Sequence, residues 1–475
     1  MRDYIVFHIN GRERRVRGAQ AFATLSRYLR YDAGATGTKI VCEEGDCGAC
    51  TVLIRRSAGA EYQPVNSCIL SLAQLDGASI VTVEGLEENG NLSRVQQAMV
   101  TCHGAQCGYC TPGFVVAMTA LFERSDRVDE RAVERGLTGN LCRCTGYEPI
   151  IRAALAVDGR RMPRIRERYP ALPDASDAVS IEADGRTFFA PATIDDAIAF
   201  KASHERCTIV QGGTDFGVWV NKREFAAPAM LWLGKIRELN ELSAAEGGGA
   251  TLDVGANVSL SQFAEAIRER VPELYRILEL FGSPQIRNAA TLAGNIANAS
   301  PIADTLPYLF VAEAELEIRG TNGTRRVPII SFYRGYKQLD LRPDEIITRV
   351  RVPIVHDTLK LYKVSRRRDL DISAFTAAIR LAITDGRIAE ARVAYGGVAP
   401  VVLRLTRVEE HLRGKRPSLD VFESAGRMAR GEVAPISDVR GSKDYRLQLA
   451  ENIMMKFWFE QFGAVAAPRR AEARA

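Results

Sequence analysis

Nine of the ten cysteines fall within the first 144 residues, at positions 42, 47, 50, 68, 102, 107, 110, 142 and 144, and the tenth is Cys207. No other feature constrains the fold as strongly. In GNLCRCTGY, Cys142 and Cys144 stand one residue apart, too close to bridge each other without strain. Their partners must lie elsewhere in the chain. The opening MRDYIVFHINGRERRV lacks the apolar run of a secretory leader, and no later stretch holds about 18 apolar residues together. The expectation is therefore a cytoplasmic chain without a membrane segment, in which clustered thiols read as metal ligands or redox groups before disulfides. The net charge of +5, from 63 basic and 58 acidic residues, is too small and dispersed to argue for nucleic acid. A length of 475 residues predicts two to four domains.

The thiols sort into two sets. Cys42, Cys47, Cys50 and, further on, Cys68 follow C-x4-C-x2-C with a distant fourth, the spacing of a plant-type [2Fe–2S] loop, and Gly45 and Gly48 let backbone amides turn toward sulfur. Structural zinc sites instead show two short knuckles, and buried packing thiols would not sit among glycines and acids. Cys107 and Cys110 in QCGYCTPG supply a C-x2-C pair whose complement is Cys142 and Cys144. Each pair precedes a predicted helix start, at Thr111-Pro112 and at Pro149, where free amides and the positive dipole end suit an anionic cluster. On this reading Cys142 and Cys144 clamp one iron, and Cys107 and Cys110 the other. Cys102 and Cys207 match no ligand position and read as packing residues; Cys102-His103 alone cannot make a Rieske site.

The surrounding sequence predicts how these loops are carried. Alternation around Asn10-Gly11 predicts a β-hairpin. A helix follows in ATLSRYLR, then strands in TVLIRR and SIVTVEGL, a small α+β layout. From about residue 92 the period turns helical, with four helices in SRVQQAMVTCHG, TPGFVVAMTALFERS, DERAVERGL and EPIIRAALA, the first-turn prolines favouring N-terminal positions. Residues 158–180, rich in Arg and Pro, read as a linker. Beyond it, TIVQGGTDFG runs from an apolar strand into a Gly-Gly turn whose amides could cradle a pyrophosphate. A Gly-Gly turn can equally be only a turn, and it lacks the G-x-G-x-x-G of a Rossmann fold. A second segment, IRNAATLAGNIANASPIADTLP, offers Thr291, Asn295 and Ser300 as donors with Asp304 as an acceptor.

QCGYCTPG and GNLCRCTGY, placed after a plant-type loop, closely resemble the iron–sulfur part of the molybdenum hydroxylases, the xanthine dehydrogenase and aldehyde oxidase family. The resemblance extends to about residue 460 and is to the separate iron–sulfur/FAD subunit found in bacterial members of the xanthine dehydrogenase type. It implies an α+β multidomain chain: a β-grasp ferredoxin-like domain at 1–86, a four-helix [2Fe–2S] domain at 87–160, a linker at 161–178, a vanillyl-alcohol-oxidase-like FAD domain at 179–356, a C-terminal α+β flavoprotein domain at 357–465 and a disordered tail at 466–475. Carried over residue by residue, Ile209, Val210, Gln211, Gly212, Gly213, Thr214, Asp215, Phe216, Phe281, Thr291, Leu292, Ala293, Gly294, Asn295, Asp304, Ile347 and Lys363 stand where the family contacts FAD.

The resemblance also implies a role. A molybdopterin-binding large subunit, joined in an α2β2 heterotetramer, would hydroxylate xanthine or hypoxanthine to urate at its molybdenum cofactor. Electrons would pass through the two clusters of this chain to FAD and NAD+. No segment here resembles the molybdopterin domain, so no residue of this chain is expected to act on the purine. An aldehyde or an N-heterocycle is the alternative substrate within the family, and a zinc-stapled scaffold the alternative outside it. One departure stands out: Val41 precedes the first cysteine where the family commonly has glycine.

Overall fold

Asn10 and Gly11, both at positive φ (48° and 78°), turn β1 (Tyr4–Ile9) back into β2 (Arg12–Arg17) as a tight hairpin. The computed structural model describes residues 1–245 and 251–463; the tail expected at 466–475 lies outside the described residues. After α1 (Leu25–Tyr31), β3 (Thr51–Arg55), β4 (Gln63–Asn66) and β5 (Ser79–Val81) complete a five-stranded sheet ordered β2-β1-β5-β3-β4, with β1 and β5 parallel. The sequence reading anticipates the hairpin, α1, β3 and β5 but not β4. Pro64 hides β4, since proline reads as a strand breaker; it is tolerated because β4 is an edge strand.

Four helices follow: α2 (Arg94–Thr101), α3 (Thr111–Phe122), α4 (Glu130–Leu137) and α5 (Glu148–Leu155). Helix α3 is apolar nearly all round, and Phe114, Val116, Ala117 and Met118 are almost fully buried, so it forms the centre of the bundle. Caps set its neighbours: Ser93 and Gln96 form a capping box on α2, and Asp129 Oδ1 accepts the Ala132 amide (2.7 Å) to start α4. The helix start predicted at Thr111-Pro112 is observed: Cys110 takes the cap position, Thr111 is the first helical residue, and its buried hydroxyl has no partner among the described residues.

The stretch read as an aperiodic linker is fastened along its length. It contains α6 (Ile165–Arg168), whose Ile165 is buried and donates its amide to Glu123 Oε1, while Arg55 Nη2 donates to the Tyr169 and Pro170 carbonyls (2.8 and 2.6 Å). Within α6 only Ile165 is buried, which leaves no periodicity to read, so the sequence shows only the charges.

Two sheets build the next region. In the first, β6 (Val179–Ala183), β7 (Arg186–Ala190), β8 (Cys207–Ile209) and β9 (Ala229–Leu231) are ordered β6-β7-β9-β8, with α7 (Ile194–Ser203) and α8 (Phe216–Arg223) in the connections. The second orders β10 (Leu242–Ala244), β11 (Thr251–Gly255), β12 (Glu315–Gly320), β13 (Gly323–Pro328) and the later strand Ile346–Pro353 as an antiparallel sheet with that later strand central. Short helices α9 (Leu260–Ile267), α10 (Pro272–Leu280), α11 (Pro284–Ala289), α12 (Leu292–Ala297) and α13 (Leu306–Val311) lie between β11 and β12. The final unit is a four-stranded antiparallel sheet built from Thr358–Val364, Phe375–Thr384, Arg387–Gly396 and Leu403–Arg404, backed by three helices ending at Gln461. Among the described residues no helix is long and apolar enough to cross a membrane.

The first sheet and the first strands of the later region share one core. Ile5, Phe7, Val52 and Ile80 pack in the same cluster as Val179, Ile181, Phe188 and Val210. Arg2 extends the join by a parallel bridge to Val179. Buried Asp76 ties the two together: its carboxylate accepts from Arg2 Nη2 (2.8 Å), from Lys235 and from the Val6 amide (3.0 Å).

Candidate functional site

The loop from residue 40 to 50 has no regular structure and turns on residues in the left-handed region: Glu43, Gly45 and Gly48 have φ of 54°, 78° and 68°. This folding gathers the first four thiols. The Cys42 thiol neighbours those of Cys47 and Cys68, Cys68 also neighbours Cys50, and the Cys47 amide points at Cys42 Sγ (3.5 Å). Asn66 braces the ring, donating to the Gly45 carbonyl (2.7 Å). Val41, the departure from the family pattern, has negative φ and an exposed side chain, so no glycine is required there.

The second set forms where Gly108, at φ 80°, and Gly146, at φ 70°, turn the two loops before α3 and α5. The structure pairs these thiols crosswise. Cys144 Sγ lies 3.5 Å from Cys107 Sγ, and Cys142 meets Cys110. With metal–sulfur bonds of about 2.3 Å, two thiolates on one tetrahedral iron stand roughly 3.8 Å apart. Each C-x2-C or C-x-C loop thus contributes one thiol to each close pair, whereas the sequence reading groups Cys142 with Cys144. Cys142 is buried and Cys144 exposed, so the short turn sends them to opposite sides.

Within the pairs one thiol is pushed down and its partner up. Cys107 is lowered by the Tyr109 amide and by Cys144, while Cys144 is raised by Cys107; burial and Cys142 raise Cys110 to about 12. For Cys142, burial works upward but is outweighed by the Thr145 hydroxyl and amide, leaving it lowered. Such sharing is what close thiols do without metal, and ligation requires all of them as thiolates. Among the described residues no three His, Cys, Asp or Glu side chains gather at the spacing of a single ion. The thiols of the second set meet as pairs, the arrangement a dinuclear cluster needs, and in the first set Cys42 and Cys68 each approach two others. The unpartnered Thr111 hydroxyl beside Cys110 is a further donor at this site.

The two sets touch. A Cβ on Gly113 would stand 2.3 Å from the Gly48 carbonyl oxygen, so glycine alone permits α3 to press on the first loop. Across the contact the Leu141 amide donates to the Cys47 carbonyl (3.0 Å), and Asn140 Nδ2 donates to the Gly48 carbonyl (3.1 Å). Gln285, from α11, completes the junction by donating to Asn140 Oδ1 (2.9 Å).

Beside the first loop opens a cavity of about 560 Å³ between the Gly-Gly turn and α12. Ile209 through Phe216 line it, with Phe281, Thr291, Ala293, Gly294, Asn295 and Ile347. Gly212 fits because its missing Cβ would stand 2.0 Å from the Ala289 carbonyl oxygen, and Gly213 takes φ of 71°. Thr291 Oγ1 accepts the Gly294 amide (3.0 Å) and so caps α12, aiming that helix start at the cavity. Burial raises the Asp215 carboxyl above its usual range, with Lys337 partly offsetting it. The set fits a flavin dinucleotide: glycine turns and a helix start for phosphates, apolar walls for a ring system.

Three residues carried over from the resemblance stand outside this lining. Leu292 is fully buried in the core. Asp304 and Lys363 form a buried ion pair (2.7 Å) that also engages the Ser373 hydroxyl, and Lys363 Nζ donates to the Asp371 carbonyl (2.9 Å). Burial raises the Asp304 carboxyl, with Lys363 opposing. Other lining residues went unforeseen, among them Glu44, Trp219, Ile286 and Ile372. Glu44 sits within CEEGDC, where the cysteines draw all the attention, and the two isoleucines carry no local signal.

Comparisons with known proteins match the chain in four successive parts. Residues 7–74 match the model of the 2Fe-2S iron–sulfur cluster binding domain and 82–155 that of the [2Fe-2S] binding domain. Residues 181–355 match the FAD binding domain in molybdopterin dehydrogenase, and 360–461 the CO dehydrogenase flavoprotein C-terminal domain. The chain belongs to the molybdenum hydroxylase family, as its iron–sulfur and flavin part. Among relatives in that family, xanthine dehydrogenase 1 of Arabidopsis thaliana is 28% identical over 96% of this chain and 39% of its own length. Xanthine dehydrogenase of Emericella nidulans is 29% identical over 87% of this chain and 35% of its own. The chain thus spans less than half of these molybdenum hydroxylases. Among solved structures, quinoline 2-oxidoreductase from Pseudomonas putida 86 superposes with a TM-score of 0.54 at 27% identity, covering 58% of this chain and 97% of that one.

Proposed function

We propose that this chain is the electron-transfer subunit of a xanthine dehydrogenase, working with a molybdopterin-binding large subunit in an α2β2 heterotetramer in the cytoplasm. The observation that carries the reading is the junction itself: the loops that carry two sets of four thiols are hydrogen-bonded to each other through Leu141, Asn140, Cys47 and Gly48, and the first loop lends Glu44 to the wall of the flavin-shaped cavity. Cys42, Cys47, Cys50 and Cys68 hold one [2Fe–2S] cluster; Cys107, Cys110, Cys142 and Cys144 hold the other. When bound, the clusters carry single electrons and the flavin gathers two and releases them as hydride, which links one-electron flow from a partner's molybdenum centre to reduction of NAD+.

The chain's own residues position these groups. Backbone amides at residues 47 and 145 point at sulfur, and Gly48 and Gly113 let the two loops approach to hydrogen-bond distance. The turn at 212–214 and the start of α12 present amides to the pyrophosphate, while Phe281 and Ile347 give apolar walls. Xanthine or hypoxanthine as the substrate at the partner is favoured by the relatives' names. The likeness to quinoline 2-oxidoreductase favours an N-heterocycle as the second reading. Purification of the native complex followed by a substrate screen separates them: hydroxylation of xanthine with NAD+ reduction supports the first, and turnover of an N-heterocycle alone replaces it. The isolated chain is expected to reduce dyes with NADH while leaving purines untouched.

A further inference from the structure

Helix α8 presents a repeating face to the first domain. Gly217 and Asn221, four residues apart, lie on one side of α8, and Gly213 lies in the turn that leads into it. All three meet residues in or just after the first thiol set. Gly213 abuts the Gln74 side chain, whose Nε2 donates to the Gln211 carbonyl (2.6 Å). A Cβ on Gly217 would stand 2.2 Å from the carbonyl oxygen of Ile69, the residue after Cys68. Asn221 Nδ2 donates to the Cys68 carbonyl (2.7 Å) and to the Glu43 carbonyl (2.9 Å), so one amide joins the 40–50 loop to the peptide of the distant fourth thiol. Both acceptors are carbonyl oxygens, which only the nitrogen of that amide can serve. The residue after Glu43 is Glu44, already in the cavity wall.

We propose that Asn221, on the flat helix face that Gly217 opens, is a positioning residue that fixes the first thiol set against the flavin cavity and so governs electron exchange between the groups bound in the two. The inference rests on the cofactor assignment proposed above. The physical reason is specific. The Gly-Gly turn leads directly into α8, whose Gly217 amide donates to the Gly213 carbonyl (2.7 Å) and which carries Asn221, whereas the 40–50 loop has no regular structure of its own. One hydrogen bond to Glu43 in that loop and one to the peptide of Cys68 tie both to the helix. Ordinary domain packing would need neither the double acceptor nor the glycine.

The test uses the full chain with its partner, purified anaerobically, as wild type, Asn221→Ala, Asn221→Asp and Arg223→Ala. Arg223, exposed at the end of α8, serves as the control. Readouts are iron and flavin content, a redox titration of the plant-type cluster followed by electron paramagnetic resonance, and the rate of flavin–cluster equilibration after flash reduction. Asn221→Ala is expected to keep iron and flavin, to shift the midpoint of the plant-type cluster but not of the other, and to slow equilibration by about tenfold, the scale on which lost positioning acts. Asn221→Asp, which turns a carboxylate toward two carbonyls, is expected to slow it further. Should Asn221→Ala fail to hold iron, Asn221→Thr, with one hydroxyl donor for two carbonyls, is expected to give an intermediate rate. Wild-type midpoint and rate in a fully loaded Asn221 variant would overturn the proposal while leaving the cofactor assignment intact. Wild-type protein without iron and flavin would instead remove the assignment on which it rests.

Discussion

The two thiol sets differ in how much protein surrounds them. Cys47, Cys50 and Cys68 are buried and Cys42 half-buried, held by their own sheet, by α3 and by α8. Cys107 and Cys144 are exposed, with only Cys142 buried. The same chemistry is thus placed once inside a junction of three regions and once at the edge of a single helical bundle. Exposed Val41, Tyr109 and Leu141 lie in the loops around the open set. That contrast fits a chain whose inner site serves its own cavity and whose outer site faces a partner.

The largest break in the comparison comes from removing one thiol of each set. Cys68→Ala is expected to lower iron from about four to two atoms per chain and, because the lost cluster no longer holds the loop whose Glu44 lines the cavity, to weaken flavin retention as well. Cys144→Ala is expected to lose the same amount of iron with flavin retained. Metal and flavin analysis of both variants checks this, and equal flavin loss would erase the distinction drawn here. Next in size is Asp76→Ala, which leaves Arg2 and Lys235 facing each other without their shared carboxylate. A cost of about 3–5 kcal/mol is expected in urea unfolding of the first sheet, with the outer thiol set unaffected.

Exposure itself gives a third test. Chelator at mild oxidising conditions is expected to bleach the outer cluster first, so that roughly half of the iron leaves in a fast phase while the plant-type signal persists. A smaller effect concerns acid. Arg325 holds Glu345 and Asp340 below the usual carboxylate range, by direct hydrogen bonds in each case. Their folded values are depressed, so this stabilisation is complete above the ordinary value of 4.5 for Glu345 and fades as pH falls through the folded value. Arg325→Ala is expected to reduce stability near neutrality and to flatten the dependence below about pH 4.5, read from thermal unfolding across pH. Smallest of all is Arg143→Gln: the side chain is exposed, and solvent screening is expected to leave the outer cluster's midpoint nearly unchanged in a redox titration.

Ligand sites of this kind are legible in a sequence because thiols must come from short loops, and the spacing within each loop survives as text. The positions of Cys42, Cys47 and Cys50, or of Gly212 and Gly213, needed no distant information. Pairing across loops did: nothing local tells whether Cys144 meets Cys142 or Cys107. The same limit hid Asn221, Gln74 and Gln285, whose roles arise from residues more than a hundred positions away. Resemblance supplied Asp304 and Lys363, and the structure gives them to each other and to Ser373 at the edge of the 365–372 loop. Pro64 obscured β4 because its edge position, which makes proline harmless, is a property of the assembled sheet.

The account's central claim is that this chain holds two dinuclear clusters and one flavin in a single junction. Metal, sulfide and flavin analysis of anaerobically purified protein, with low-temperature electron paramagnetic resonance of the reduced state, tests it most directly. The account predicts about four iron and four sulfide per chain, one FAD and two distinct cluster signals. Colourless protein carrying zinc in place of iron would contradict it.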